Sequence, residues 1–250
     1  MAALRDYPLL LLVVVVPVLY GLVELGHRLA RRRGGEEDAL HEQFGMARDN
    51  AAMLLSLLLG FTLALAMQRY DLRWQQAVEE AAAIGTAQLR VDVLPEPART
   101  DARRMFKDYI DARVAFGAVG FDEDELVRER AKASKIETDL WRSAVAAARE
   151  DRTPVMALYL ASLNQAIDAS DRRLAGLENR IPRTVWVMLG LLAMFTSLMV
   201  GLSMRKRSLT AMLLPPLLVA IVGLLIAELD TPGRGVIRGD VRAIARLQAP

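Results

Sequence analysis

The stretch AAMLLSLLLGFTLALAM, residues 51–67, runs without a helix breaker into QRYDLRW, residues 68–74. The hydrocarbon core of a bilayer is about 30 Å thick, so a spanning helix needs roughly 20 mostly apolar residues. Residues 51–67 alone are short of that. With no proline or glycine pair at the polar end, the helix reads on as one rod through Gln68, Arg69, Tyr70 and Trp74 to about Val93. It stops at Leu94-Pro95-Glu96-Pro97, because a proline disfavours helical geometry in the residue before it. At 1.5 Å per residue such a rod is roughly 60 Å long. A helix that is apolar over its first half and charged over its second predicts a membrane span that emerges into a water-exposed helical domain.

Three further stretches meet the same length test: residues 8–26 (PLLLLVVVVPVLYGLVELG), 185–204 and 209–229. The sequence therefore predicts an all-α membrane protein. It has four transmembrane helices, a charged loop at 27–50, a helical-bundle domain at 68–182 between spans two and three, and a tail at 230–250. Pro17, Pro215 and Pro216 fall inside spans and are read as kinks, since neighbouring helices satisfy the freed carbonyls. The first span is not read as a cleaved signal peptide: Asp6 spoils a basic leader, and no small-x-small site precedes the charges from His27 to Arg33.

Composition agrees with this segregation. Hydrophobic residues make up 53% and charged residues 25%, a pairing that requires the two kinds to occupy different parts of the chain. The formal net charge of +2 is too small to imply nucleic-acid binding. The chain has no cysteine, and His27 and His41 are its two histidines. Disulfides and thiolate metal sites are excluded, and neither a metal nor any other cofactor is expected. The acid pairs Glu36-Glu37 and Glu79-Glu80 are adjacent, so they do not face each other on a helix; they read as solvated faces, not as catalytic pairs. Gly34-Gly35 reads as a loop, and Arg31 to Arg33 as a juxtamembrane anchor near lipid headgroups. No catalytic residues are assigned, and the chain does not read as an enzyme.

Within 68–182, a helix over 99–116 carries Ala102, Met105, Phe106, Tyr109, Ile110 and Val114 at helical spacing, with a break at Gly117 and Gly120. A helix over 122–149 opens on Asp122, Glu123 and Asp124, suited to its dipole. Its apolar line is Leu126, Ile136, Leu140, Ala144, Val145 and Ala148. Pro154 starts a last helix whose line is Val155, Leu158, Ala166, Ile167, Leu174, Leu177 and Ile181.

In the second span Met53, Leu57 and Phe61 recur every four residues and share a face. Around a common axis, rings of these side chains would form a hydrophobic constriction of the kind that gates ions by dewetting. From spacing alone, such a line in a membrane helix is more often lipid-facing or packed.

The stretch Leu59-Gly60-Phe61, Leu65 and Arg69-Tyr70 resembles the second-helix signature of bestrophins. Residues 77–90, Leu94-Pro95-Glu96-Pro97 and LDTPGRGVIR at 229–238 resemble the bacterial bestrophin-like domain family, over most of the chain. The resemblance implies a homo-oligomeric ion channel, pentameric, in a bacterial cytoplasmic membrane. Its second helix would line an axial pore, and its helical middle would be cytosolic. By position it makes Met53, Leu57 and Phe61 the pore neck, and Arg69 and Tyr70, with Arg73, the pore mouth. No acidic calcium-clasp segment follows the fourth span. Expected partners are other copies of the chain, membrane lipids and small inorganic ions. Arg69 and Arg73 would raise the local anion concentration at one mouth, which Asp71 and Glu79 partly cancel; anions are favoured by the resemblance alone.

Charge leaves the orientation open. Arg28, Arg31 to Arg33, Arg48 and Arg205 to Arg207 crowd the short loops, while more bases in total lie on the opposite side near the spans. The positive-inside rule weighs short loops most, so it opposes the cytosolic placement that the resemblance implies. A second reading from a different class is a non-conducting sensor or scaffold that uses the helical domain for ligand or partner binding.

Overall fold

A computed structural model describes residues 8–32, 38–118, 123–231 and 242–248. Among these residues the chain is helical and carries no strand. In order the helices are α1 (Pro8–Arg32), α2 (Asp38–Leu89), α3 (Ala98–Ala118), α4 (Glu123–Glu150), α5 (Pro154–Glu178), α6 (Arg183–Ser203), α7 (Leu209–Asp230) and the short α8 (Arg242–Ala245). By length and composition four of the described helices can cross a membrane. Gly34-Gly35, Glu36-Glu37, Gly120, Asp122, the Leu126 side chain and 232–238 of the closing motif lie outside the described residues.

The helices run further than the sequence predicts. The expected loop 27–50 is helical over 27–32 and again over 38–50. Ala39, Leu40, Glu42 and Gln43 are good helix formers with no breaker among them, so α2 starts well before its apolar stretch. At its other end α2 stops at Leu89 and tightens into a 3₁₀ turn, Arg90–Val93. Leu94, held extended before Pro95, ends it. Gly117 is helical within α3. Pro17, Pro215 and Pro216 sit inside helices α1 and α7 without ending them. Thr153 caps α5, its hydroxyl accepting from the Met156 N–H at 3.3 Å with Pro154 in the first turn. That is the arrangement these residue types favour at a helix start.

The chain divides into two compact units, residues 1–69 with 180–231, and residues 70–179 with 232–250. In the first unit α1 packs against α6 and α7. Gly26 and Gly201 bring α1 and α6 to backbone contact. A Cβ on Gly201 would collide with the Val23 carbonyl oxygen and the His27 nitrogen, and one on Gly26 with the Leu198 carbonyl. Small residues at a crossing are how membrane helices gain van der Waals contact. Buried side chains follow helical stripes: Leu19 and Val23 on α1, Ala51, Leu55, Leu59, Thr62 and Ala66 on α2, Met212, Ala220 and Ile226 on α7. The hydroxyls of Ser56, Thr62 and Thr196 donate to the carbonyl four residues earlier, at 2.7–2.8 Å. A span offers no water to satisfy such groups otherwise.

The second unit is a conventional bundle. Ile84, Val91, Ala102, Phe106, Ile110, Leu140, Met156 and Leu163 form its core, closed by Ile244 of the C-terminal α8. On α5 the observed stripe is Met156, Tyr159, Leu163, Ala166, Ser170 and Arg173. Val155 and Leu158, expected inside, are exposed. Val155 lies in the first turn, on the same face as Arg173 eighteen residues on, so the stripe keeps its phase and polar residues share it with apolar ones. Glu80, Arg113 and Arg173 are all buried, with Arg113 Nη2 at 2.5 Å from Glu80 Oε1 and Arg173 Nη1 at 2.7 Å from Oε2. Glu80 is therefore not a solvated face, whereas its neighbour Glu79 is exposed. About 100° of helical turn separates the two.

Candidate functional site: the free face of α2

The membrane part of α2 has one face packed against the rest of the chain and one exposed. Ala51, Leu55, Leu59, Thr62 and Ala66 are buried, whereas Met53, Leu57 and Phe61 are 67%, 52% and 59% exposed. Leu54 and Leu65 flank them and are exposed as well. The structure thus brings the three expected neck residues onto one continuous apolar face that is exposed among the described residues. Gly60 beside Phe61 has no atom within 4 Å of where its Cβ would stand, so this face is also open at the backbone.

The expected mouth residues do not join that face. At about 100° per residue, each four-residue step drifts by about 40°. Arg69, sixteen residues after Met53, therefore lies roughly 160° around the helix from it. That is the buried side. Its guanidinium Nη1 stands 3.9 Å from Asp230 Oδ1, with the Arg69 side chain 22% exposed. Arg73 is 5% exposed, and Tyr70 is half-buried. Neither arginine presents a free charge beside Phe61.

Sequence reading missed Asp230. It is fully buried, and its Oδ1 accepts a hydrogen bond from the Ile181 N–H at 2.9 Å. An ionisable side chain at the end of a span marks a functional position by default, because burying it is expensive. The local signal was present, an aspartate ending the apolar run of α7. The partner Arg69 is 161 positions earlier, beyond any local pattern.

At the other end of this unit Glu24 meets Arg28 at 2.8 Å and Arg207 at 3.4 Å, and Arg48 donates to Ser203 Oγ at 3.2 Å. The basic loops thus gather at one end. His27 is buried there. No group of His, Asp and Glu able to hold a metal forms among the described residues.

A family model described as the bestrophin-like domain matches residues 12–240. No curated relative and no solved structure matches the chain.

Proposed function

The chain belongs to the bestrophin-like domain family, and from that premise we propose that it is a homo-oligomeric, passive ion channel whose α2 helices surround an axial pore. Met53, Leu57 and Phe61 form the hydrophobic neck, copies of the chain closing a ring around them. Five copies are the working stoichiometry, in a bacterial cytoplasmic membrane with residues 70–179 on the cytosolic side. The observation that carries this reading is the free apolar face of α2, bearing all three neck residues, opposite a face that its own protomer fills. Apolar rings conduct or block according to their wetting. Conduction needs no catalytic group.

The test is subunit counting by native mass spectrometry, followed by ion flux through proteoliposomes. Five copies, with flux that rises in Phe61→Ala as the ring widens, support the neck. A stable monomer or dimer that passes no ions removes the axial pore and leaves a non-conducting sensor or scaffold.

A further inference from the structure

We propose that Asp230 is a positioning residue for the pore helix: with Arg69 it sets the rotation of α2 about its own axis, and so sets how far Phe61 reaches into the neck. The consequence for conduction rests on the channel reading above; the positioning itself does not.

Asp230 is the last residue of α7 and is fully buried. Its Oδ1 atom takes contacts from two separate segments. One is the Ile181 N–H just before α6, at 2.9 Å, and the other is Arg69 Nη1 on α2, at 3.9 Å. The first is a hydrogen bond to backbone and fixes the carboxylate. The second is longer than a charge-assisted hydrogen bond, which forms at about 2.7–2.9 Å. Arg69 Nη1 is buried and makes no hydrogen bond. The pair is therefore held by charge without being closed.

Arg69 and Phe61 are two turns apart on one unbroken helix, so a rotation of α2 moves both. A side chain near the helix rim stands about 5–6 Å from the axis. A rotation of roughly 10° then moves it about 1 Å, enough to close the 3.9 Å contact into a hydrogen-bonded pair. The same rotation shifts the Phe61 ring by a similar distance. Across several copies, that changes the width of an apolar constriction on the scale that decides whether water fills it. Asp230 thus offers two arrangements of one contact, and the pore helix follows them.

The experiment uses the full chain in planar bilayers. Asp230→Asn keeps an oxygen for the Ile181 N–H and removes the carboxylate charge; Arg69→Met removes the guanidinium facing it. Each is expected to change open probability about fivefold or more, the lower end of coupling between linked sites. Unitary conductance and subunit count stay unchanged. The double variant matches either single one, and Arg69→Lys restores much of the wild-type value. Wild-type open probability in Asp230→Asn, or effects that add in the double variant, overturn the proposal. A wild-type protein that never conducts overturns the channel reading instead. Positioning is then decided by labelling Phe61→Cys, the sole thiol in an otherwise cysteine-free chain, with a water-soluble thiol reagent in proteoliposomes. A changed labelling rate when Asp230→Asn is added supports it, and an unchanged rate overturns it.

Discussion

The two units differ in what they leave outside. In the membrane unit Met53, Leu57, Phe61, Leu191 and Ile221 are exposed, while Thr62, Thr196, Ser197, His27 and Asp230 share the inside with apolar side chains such as Leu19, Val23 and Met212. In the second unit Phe106, Ile84 and Leu140 are inside and Arg103, Arg104 and Arg142 are outside. Water drives apolar side chains inward only where there is water. In hydrocarbon that drive vanishes, and packing, small-residue contact and polar contacts hold helices together instead. Glu80, Arg113 and Arg173 are an exception in the second unit, a charged group buried within an apolar bundle.

The largest expected effect tests that exception. Glu80→Ala leaves two buried guanidiniums, Arg113 and Arg173, without the carboxylate they share. Breaking a buried pair from one side costs about 3–5 kcal/mol. The second unit is expected to lose most of its resistance to proteolysis at 25 °C, with the cuts falling in residues 70–179. An unchanged digestion pattern would mean that the triad is not buried in the folded protein.

The next tests the uniformity of the membrane unit's outer surface. Leu191 on α6 and Leu57 on α2 are comparably exposed, at 62% and 52%. An arginine facing lipid at the middle of a span costs about 2.5–3.5 kcal/mol; one facing a water-filled pore costs far less. Leu191→Arg is expected to cut the yield of membrane-inserted protein sharply, and Leu57→Arg to leave it near wild type. Equal losses would place both residues against lipid and sink the pore assignment.

A smaller effect is expected at the α1–α6 crossing. Gly201→Ala places a methyl group on the Val23 carbonyl, and both partners are backbone that cannot swing away. Overpacking of this kind costs about 1–3 kcal/mol. Gly190→Ala, on the same helix with nothing within 4 Å, is expected to raise the midpoint of thermal unfolding slightly, since alanine is the better helix former. The two midpoints moving in the same direction would argue against backbone contact at Gly201.

How much was legible follows the same division. The four spans could be read because apolar length is a local property, and so could the Met53–Leu57–Phe61 face, because helical period is local as well. On α5 hydrophobicity favours Val155 and Leu158 for the core, whereas both are exposed and the polar Ser162, Ser170 and Arg173 are buried. Nothing near Arg173 in sequence announces that Glu80, 93 positions earlier, will neutralise it. The motif that marks Arg69 is local, but its contact with Asp230, 161 positions later, is not. Long-range charge pairing is the part of this fold that local pattern does not encode.

The smallest expected effect sharpens the charged network. Tyr109 donates to Glu137 Oε1 at 2.5 Å and is buried. Burial, and then repulsion from the Glu137 carboxylate, hold its hydroxyl well above the ordinary value of 10.0. The folded state therefore keeps a proton that the unfolded chain releases near pH 10. By linkage, the stability this group supplies is fully present below pH 10 and is lost as pH rises above it. Tyr109→Phe removes one hydrogen bond, worth about 1 kcal/mol at neutral pH because Glu137 is partly exposed. It also removes the group responsible for part of the alkaline loss. Wild type and Tyr109→Phe, unfolded by denaturant at pH 8 and at pH 11, are expected to differ by about 1 kcal/mol at the lower pH and by less at the higher. A gap that widens towards pH 11 would show that Tyr109 ionises more easily inside the bundle than outside it, contrary to its burial beside Glu137.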